Sequence, residues 1–277
     1  MLVVVIVCIL VLLVVGVVIA LQSAGKKAQA QDATDRVQLI ARGSDAAPTM
    51  ADEGVALRLP PPLVKYLDLA TPDEETGVRV AVLRQRGTIR SELGDQGSSF
   101  EAEQVYSMKP PGFLWLAKTA GMPPVVVRDH YIDGEGLHVE RYFGAFAMDD
   151  ESRGPEIDQA AALRYWCEVM AFPEMVTHPS VEWDKVSDDK ARLFARHGEQ
   201  LFDVVVSFGT NGFPKSFHAE RFREVGSERV LTPWSAVFSD WEIIDGRLFP
   251  RTWESIWHLS EGDLTAVKME ILSVRIE

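Results

Sequence analysis

The sequence predicts a mainly β (α+β) protein. It reads as a large curved antiparallel sheet or half-barrel with one or two helices packed in its concave face, preceded by one transmembrane helix. Three observations lead there. An uncharged apolar run opens the chain, the apolar period switches to two from Val78 onward, and one proline-bracketed apolar helix interrupts the strands.

Leu2 to Leu21 is a run of twenty residues without a charge. As a helix it spans about 30 Å, the thickness of a bilayer's hydrocarbon core. No Lys or Arg precedes it, and the A-x-A triplet Ala28-Gln29-Ala30 lies beyond Lys26 and Lys27, so an uncleaved single-pass anchor over 1–25 is favoured over a signal peptide. Those two lysines flank the run on its C-terminal side, where the positive-inside rule would favour a cytoplasmic domain, but two charges leave the side of the membrane open. Residues 26–58 are rich in Ala, Gln, Asp, Gly and Ser and read as a tether, with Gln29 to Ile40 able to continue the helix.

A domain over 59–277 follows. Leu63, Val64, Tyr66, Leu67 and Leu69 are spaced as a short amphipathic helix from Pro61 or Pro62 to Ala70. Strands are expected from Val78, over Ser99–Met108, Gly112–Thr119, Val125–Asp133 and Leu137–Met148. Pro155, the acidic Glu156 and Asp158, and Pro173 then bracket a helix over about 155–172. Its cylinder is apolar almost all round, interrupted by Arg164 and Glu168, so it is expected inside the sheet's concavity. Seven further strands run from Val181 to Ile276, with hairpin turns at Asn211-Gly212 and Asp245-Gly246.

Composition narrows the function. The net charge of −13 argues against a nucleic-acid partner, and two distant cysteines offer no disulfide framework. No phosphate loop, H-E-x-x-H, C-x-x-C or nucleophile elbow appears, so neither cofactor, metal nor catalytic residue is assigned. One polar cluster stands out. Taking Gly134-Glu135 as a two-residue turn sets Asp129 opposite Glu140 and Tyr131 opposite His138, a grouping that would suit acid–base chemistry or a cation.

The stretches Leu59-Pro-Pro-Pro-Leu-Val-Lys-Tyr-Leu, Pro111-Gly-Phe-Leu-Trp, Asp129-His-Tyr-Ile-Asp-Gly-Glu-Gly, Leu163-Arg-Tyr-Trp-Cys-Glu-Val-Met-Ala-Phe-Pro and Thr232-Pro-Trp occur in this order. Together they resemble an uncharacterised bacterial membrane-associated family, a domain of unknown function. The order of elements is also similar to the lipoprotein-carrier (LolA/LppX-like) half-barrel, which implies helices closing a greasy cavity.

Three functions are therefore weighed. The first is a membrane-tethered binder or carrier of a lipid-like ligand, without catalysis. Its pocket would use Trp115, Tyr131, Arg164, Trp166, Glu168, Met170, Trp253 and Trp257, with Arg164 near the mouth to meet a polar head group. The second is a structural or signalling module for a protein partner. The third is a hydrolase or metal-dependent enzyme built on Asp129, His138 and Glu140.

Overall fold

The computed structural model describes residues 2–56, 58–70, 77–147, 152–197, 200–226 and 228–277. Met148, the expected end of one strand, lies outside them. The helices are α1 (Leu2–Asp45), α2 (Glu53–Ala56), α3 (Pro61–Ala70) and α4 (Pro155–Glu168), with 3-10 turns at Val169–Ala171 and Pro173–Thr177. Phe172, held extended before Pro173, separates the two turns, because a residue preceding proline is driven out of the helical region.

Thirteen strands form one antiparallel sheet. They are β1 (Val80–Ile89), β2 (Ser98–Ser107), β3 (Gly112–Thr119), β4 (Val125–Ile132), β5 (Glu135–Tyr142), β6 (Phe146–Ala147), β7 (Val181–Lys185), β8 (Lys190–His197), β9 (Gln200–Phe208), β10 (Pro214–Val225), β11 (Glu228–Ile244), β12 (Arg247–Leu259) and β13 (Gly262–Ile276). The spatial order is β6-β5-β4-β3-β2-β1-β13-β12-β11-β10-β9-β8-β7. The chain thus lays one meander outward, crosses from β6 to β7 through α4, and lays a second meander back until β13 pairs with β1.

That crossover forces the sheet to curl. The helix α4 touches β3, β4 and β5 on one side and β10 and β11 on the other. Eight strand spacings separate β5 from β10, about 38 Å if the sheet were flat, whereas a helix with its side chains is about 10–12 Å wide. Only a sheet wrapped around α4 meets both contacts. Tyr106, Phe113, Phe217, Phe249 and Trp253 pack inward against Tyr165, Trp166 and Phe172.

The outer face carries α1. Leu39 packs on Val80, Val82, Val105 and Leu114. Arg128, buried on β4, donates to Asp32 at 2.7 Å and pairs with Asp35, while Arg36 bonds Glu103 and Arg42 bonds Asp133. The helix is continuous from Leu2 to Asp45. The structure therefore draws the tether differently: the first twenty residues of 26–58 are helix, clamped to the sheet by ion pairs between partners far apart in sequence. The N-terminal part of α1 is long and apolar enough to cross a membrane.

Two buried histidines make stability pH-dependent. Burial, with Arg128 alongside, lowers His130 to about 4, and burial with Lys109 nearby lowers His178 to about 4. An unfolded histidine titrates near about 6.5, so between those values the unfolded chain binds protons the folded chain refuses. The contribution of these two groups is complete above about pH 6.5 and falls as pH drops toward about 4. We expect urea midpoints to fall between pH 7 and pH 4.5, and His130→Gln with His178→Gln to flatten that fall. An unchanged slope in the double variant would assign the acid sensitivity elsewhere.

Candidate functional site

A cleft of about 290 Å³ lies between α4 and the concave face of the sheet. The i, i+4 spacing on α4 turns Arg164 and Glu168 toward it, and period two on the strands brings in Trp115, Asp129, Trp234 and Trp257.

Arg164 is the centre of its floor. The guanidinium donates to Asp129 at 2.5 Å and to Glu168 at 2.9 Å, and it lies 4.9 Å from the ring centres of both Phe113 and Trp115. Burial opposes its charge, but Glu168 and Asp129 outweigh burial and hold its pKa above the ordinary arginine value. The second oxygen of Glu168 accepts from Gln104 at 2.8 Å and from the Tyr106 hydroxyl at 2.7 Å. Gln104 in turn accepts from Gln85, and Gln85 from the Trp115 indole N–H. Every link of this chain is buried, and a satisfied network of that kind fixes side-chain orientation.

The β4–β5 hairpin corrects the expected register. Its turn is Asp133-Gly134, with φ of 54° and 85°. A type I′ turn needs positive φ at both central residues, which Asp-Gly supplies more readily than Gly-Glu. Asp129 therefore faces His138, Tyr131 faces Gly136, and Glu140 faces Val127. The slip is an even one, so Asp129, His138 and Glu140 keep a common face. His138 Nε2 lies 3.8 Å from Glu140, and the cation that joins the carboxylates Asp129 and Glu168 is Arg164. Among the described residues no group of three or more His, Cys, Asp or Glu side chains is placed to hold a metal ion.

Of the eight expected lining residues, Trp115, Arg164, Glu168 and Trp257 reach the cleft. Tyr131, Trp166, Met170 and Trp253 are closed into solid core, each at most 1% exposed. Trp166 packs edge-on against Tyr165 and beside His178, away from the cleft.

The sequence reading passed over Arg221. Its guanidinium lies 4.9 Å from the Trp234 ring and 5.4 Å from Trp257, and its Nε donates to the Ala160 carbonyl. Among the described residues no carboxylate lies within ion-pair distance of it. Burial, helped by the neighbouring Arg164 and opposed by the attraction of Asp129 and Glu168, lowers its pKa to about 10. Period two puts Arg221 on the same inward face of β10 as Phe217 and Ala219, but nothing in the sequence signals the two indoles beneath it.

A second constellation sits on the outer face. Ser235 Oγ lies 2.6 Å from His258 Nε2 and 2.7 Å from His218 Nδ1, and His258 Nδ1 lies 2.8 Å from Asp263. The order resembles a nucleophile, base and orienting acid. Ser235 is only 1% exposed, however, so these groups satisfy one another and leave the hydroxyl no approach for a substrate carbonyl.

The fold and cleft define an open antiparallel sheet protein, wrapped around one helix and holding a tryptophan-walled cleft over a charged floor. The chain belongs to the DUF6544 family of unknown function, whose model matches residues 49–269. No curated protein matches it. Among solved structures it is similar to a LolA superfamily protein from Nitrosomonas europaea (9% identity, TM-score 0.41, covering 78% of this chain and 92% of that one). It is similar to the same degree to a DUF1329 family protein from Desulfovibrio piger (10% identity, TM-score 0.41, covering 79% and 94%).

Proposed function

We propose that this protein is a membrane-tethered binder of an acidic, lipid-like amphiphile and performs no catalysis on it. One observation carries the reading: the cleft joins apolar tryptophan walls to a half-buried arginine, Arg221, which among the described residues has no carboxylate at ion-pair distance. Asp129 and Glu168 both bond Arg164 and attract Arg221 only over a longer distance, so the Arg221 guanidinium is placed to meet a carboxylate or phosphate, with the ligand's chain along Trp234 and Trp257.

The position of the mouth supports the same reading. Ile89 ends β1, and Glu140 and Glu224 lie within two residues of the ends of β5 and β10, so the cleft's rim is at the β1–β2, β5–β6 and β10–β11 hairpin end. The helix α1 reaches that end too, where a Cβ added at Gly25 would lie 3.7 Å from Ala145 in the β5–β6 turn. An anchor over Leu2–Leu21 would then hold the mouth on the bilayer side of the domain.

Native mass spectrometry of the full chain released from membranes in detergent should show a bound acidic amphiphile. Arg221→Leu should weaken oleate binding roughly 10- to 100-fold, the equivalent of about 1.5–3 kcal/mol for hydrogen bonds to a charged group. Binding of oleyl alcohol should change little. A wild-type chain that carries no adduct and binds neither probe would refute the proposal.

A further inference from the structure

The hairpin end of the sheet bears an apolar edge that no element of the fold covers. Met122, in the β3–β4 loop, is 90% exposed, the highest value for any large apolar side chain among the described residues. Phe143 and Phe146, in and beside the β5–β6 turn, are 57% and 48% exposed. The two loops lie side by side, because the Phe143 N–H donates to the Pro124 carbonyl at 2.8 Å. Three large apolar groups gathered on adjoining loop tips cost solubility unless something covers them.

The chain's own path says what covers them. The β5–β6 turn touches α1 at Gly25, where Ala145 Cβ and the Gly144 carbonyl close on the helix. Gly25 lies four residues past Leu21, the end of the apolar run, so the contact is about 6 Å beyond it along the helix axis. The headgroup layer on each side of the hydrocarbon core is roughly 5–8 Å deep, which puts the turn at that level. Lys26 and Lys27 are exposed at the same height, where they would meet anionic headgroups. Phenylalanine and methionine on a loop tip, with lysines beside them, suit the boundary between headgroups and acyl chains.

We infer that the Met122 loop and the Phe143–Phe146 turn insert into the lipid surface beside α1, pressing the cleft's mouth against the bilayer. The inference rests on the reading of α1 as a membrane anchor and adds a second, independent contact. It makes the domain a surface-docked one, with the apolar edge and the helix as two points of attachment.

The test uses the full chain in phosphatidylcholine vesicles containing phosphatidylglycerol, with Cys8→Ser as background. An environment-sensitive bimane is placed at Met122→Cys or, as a control at the opposite end of the sheet, at the exposed Asp188→Cys. Lipids with a nitroxide at headgroup or shallow acyl depth are expected to quench the probe at 122 and spare the one at 188. Phe143→Asp with Phe146→Asp should abolish the quenching while the chain still floats with the vesicles. A chain that does not float overturns the anchor and the inference together. A chain that floats with equal quenching at both positions overturns the inference alone. Disulfide-linked dimers through Met122→Cys, with the probe unquenched, would assign the edge to a second copy instead.

Discussion

Arg164→Met is expected to destabilise the folded chain by about 3–5 kcal/mol, because it leaves two carboxylates in the floor of the cleft without their cation. Asp129 and Glu168 both end on this one guanidinium, and each is largely shielded from water. Methionine keeps much of the side-chain volume, so the loss reports the charge and its hydrogen bonds rather than a cavity. Adding Asp129→Asn and Glu168→Gln should restore a large part of the stability, since the uncompensated charges are then gone. Urea denaturation of the full chain in detergent measures both. A single-variant loss under about 1 kcal/mol would mean that the carboxylates draw on another partner, and the account of the floor would be wrong.

Trp166→Ala should cost a similar amount, about 3–5 kcal/mol, for a different reason. The indole is 1% exposed and wedged between Tyr165 and His178, so truncation opens a void that the surrounding rings cannot fill. Trp257, at 9% exposure, borders the cleft and Arg221, and its removal mainly enlarges space that already exists. The thermal midpoint of Trp166→Ala should therefore fall clearly further than that of Trp257→Ala. Equal falls would argue that Trp166 also borders open space.

Much of this architecture was legible in the sequence, and the particular misreadings have physical causes. Pro155 and Pro173 bracket α4 because proline suits a first turn and excludes helix just before it, and both effects are local. The turns at Asn211-Gly212 and Asp245-Gly246 were legible for the same reason, whereas the β4–β5 turn was expected one residue too late. What was not legible depended on distance. The pairing of β1 with β13 joins residues almost two hundred positions apart, and only that pairing turns two meanders into one wrapped sheet. The ion pairs that dock α1 also join residues far apart, 67 to 109 positions, so its polar, alanine-rich second half looked like a tether. Among the aromatic residues, period two gives the face of the sheet but not the depth. Trp253 and Trp257 share a face, yet Trp253 lies under Phe238 and Phe249 while Trp257 meets the cleft. Arg164 and Glu168 could be singled out because they break an apolar cylinder. Arg221 could not, because a charged residue on a mixed strand is ordinary until two indoles are found beneath it.

Under the proposed anchoring, the unbroken path of α1 sets a geometric phase between bilayer and cleft. A flexible chain of some twenty residues would let the domain wander over roughly 25 Å and face any direction. A helix permits neither. Each residue inserted between Leu21 and the docked Asp32 would lift the domain by only about 1.5 Å while turning it about 100° around the helix axis. One added residue would swing the mouth away from the lipid, and about eighteen, five full turns, would return its bearing at a height about 27 Å greater. The span between anchor and sheet therefore works as a key cut to one angle, in which the number of residues matters more than their identity.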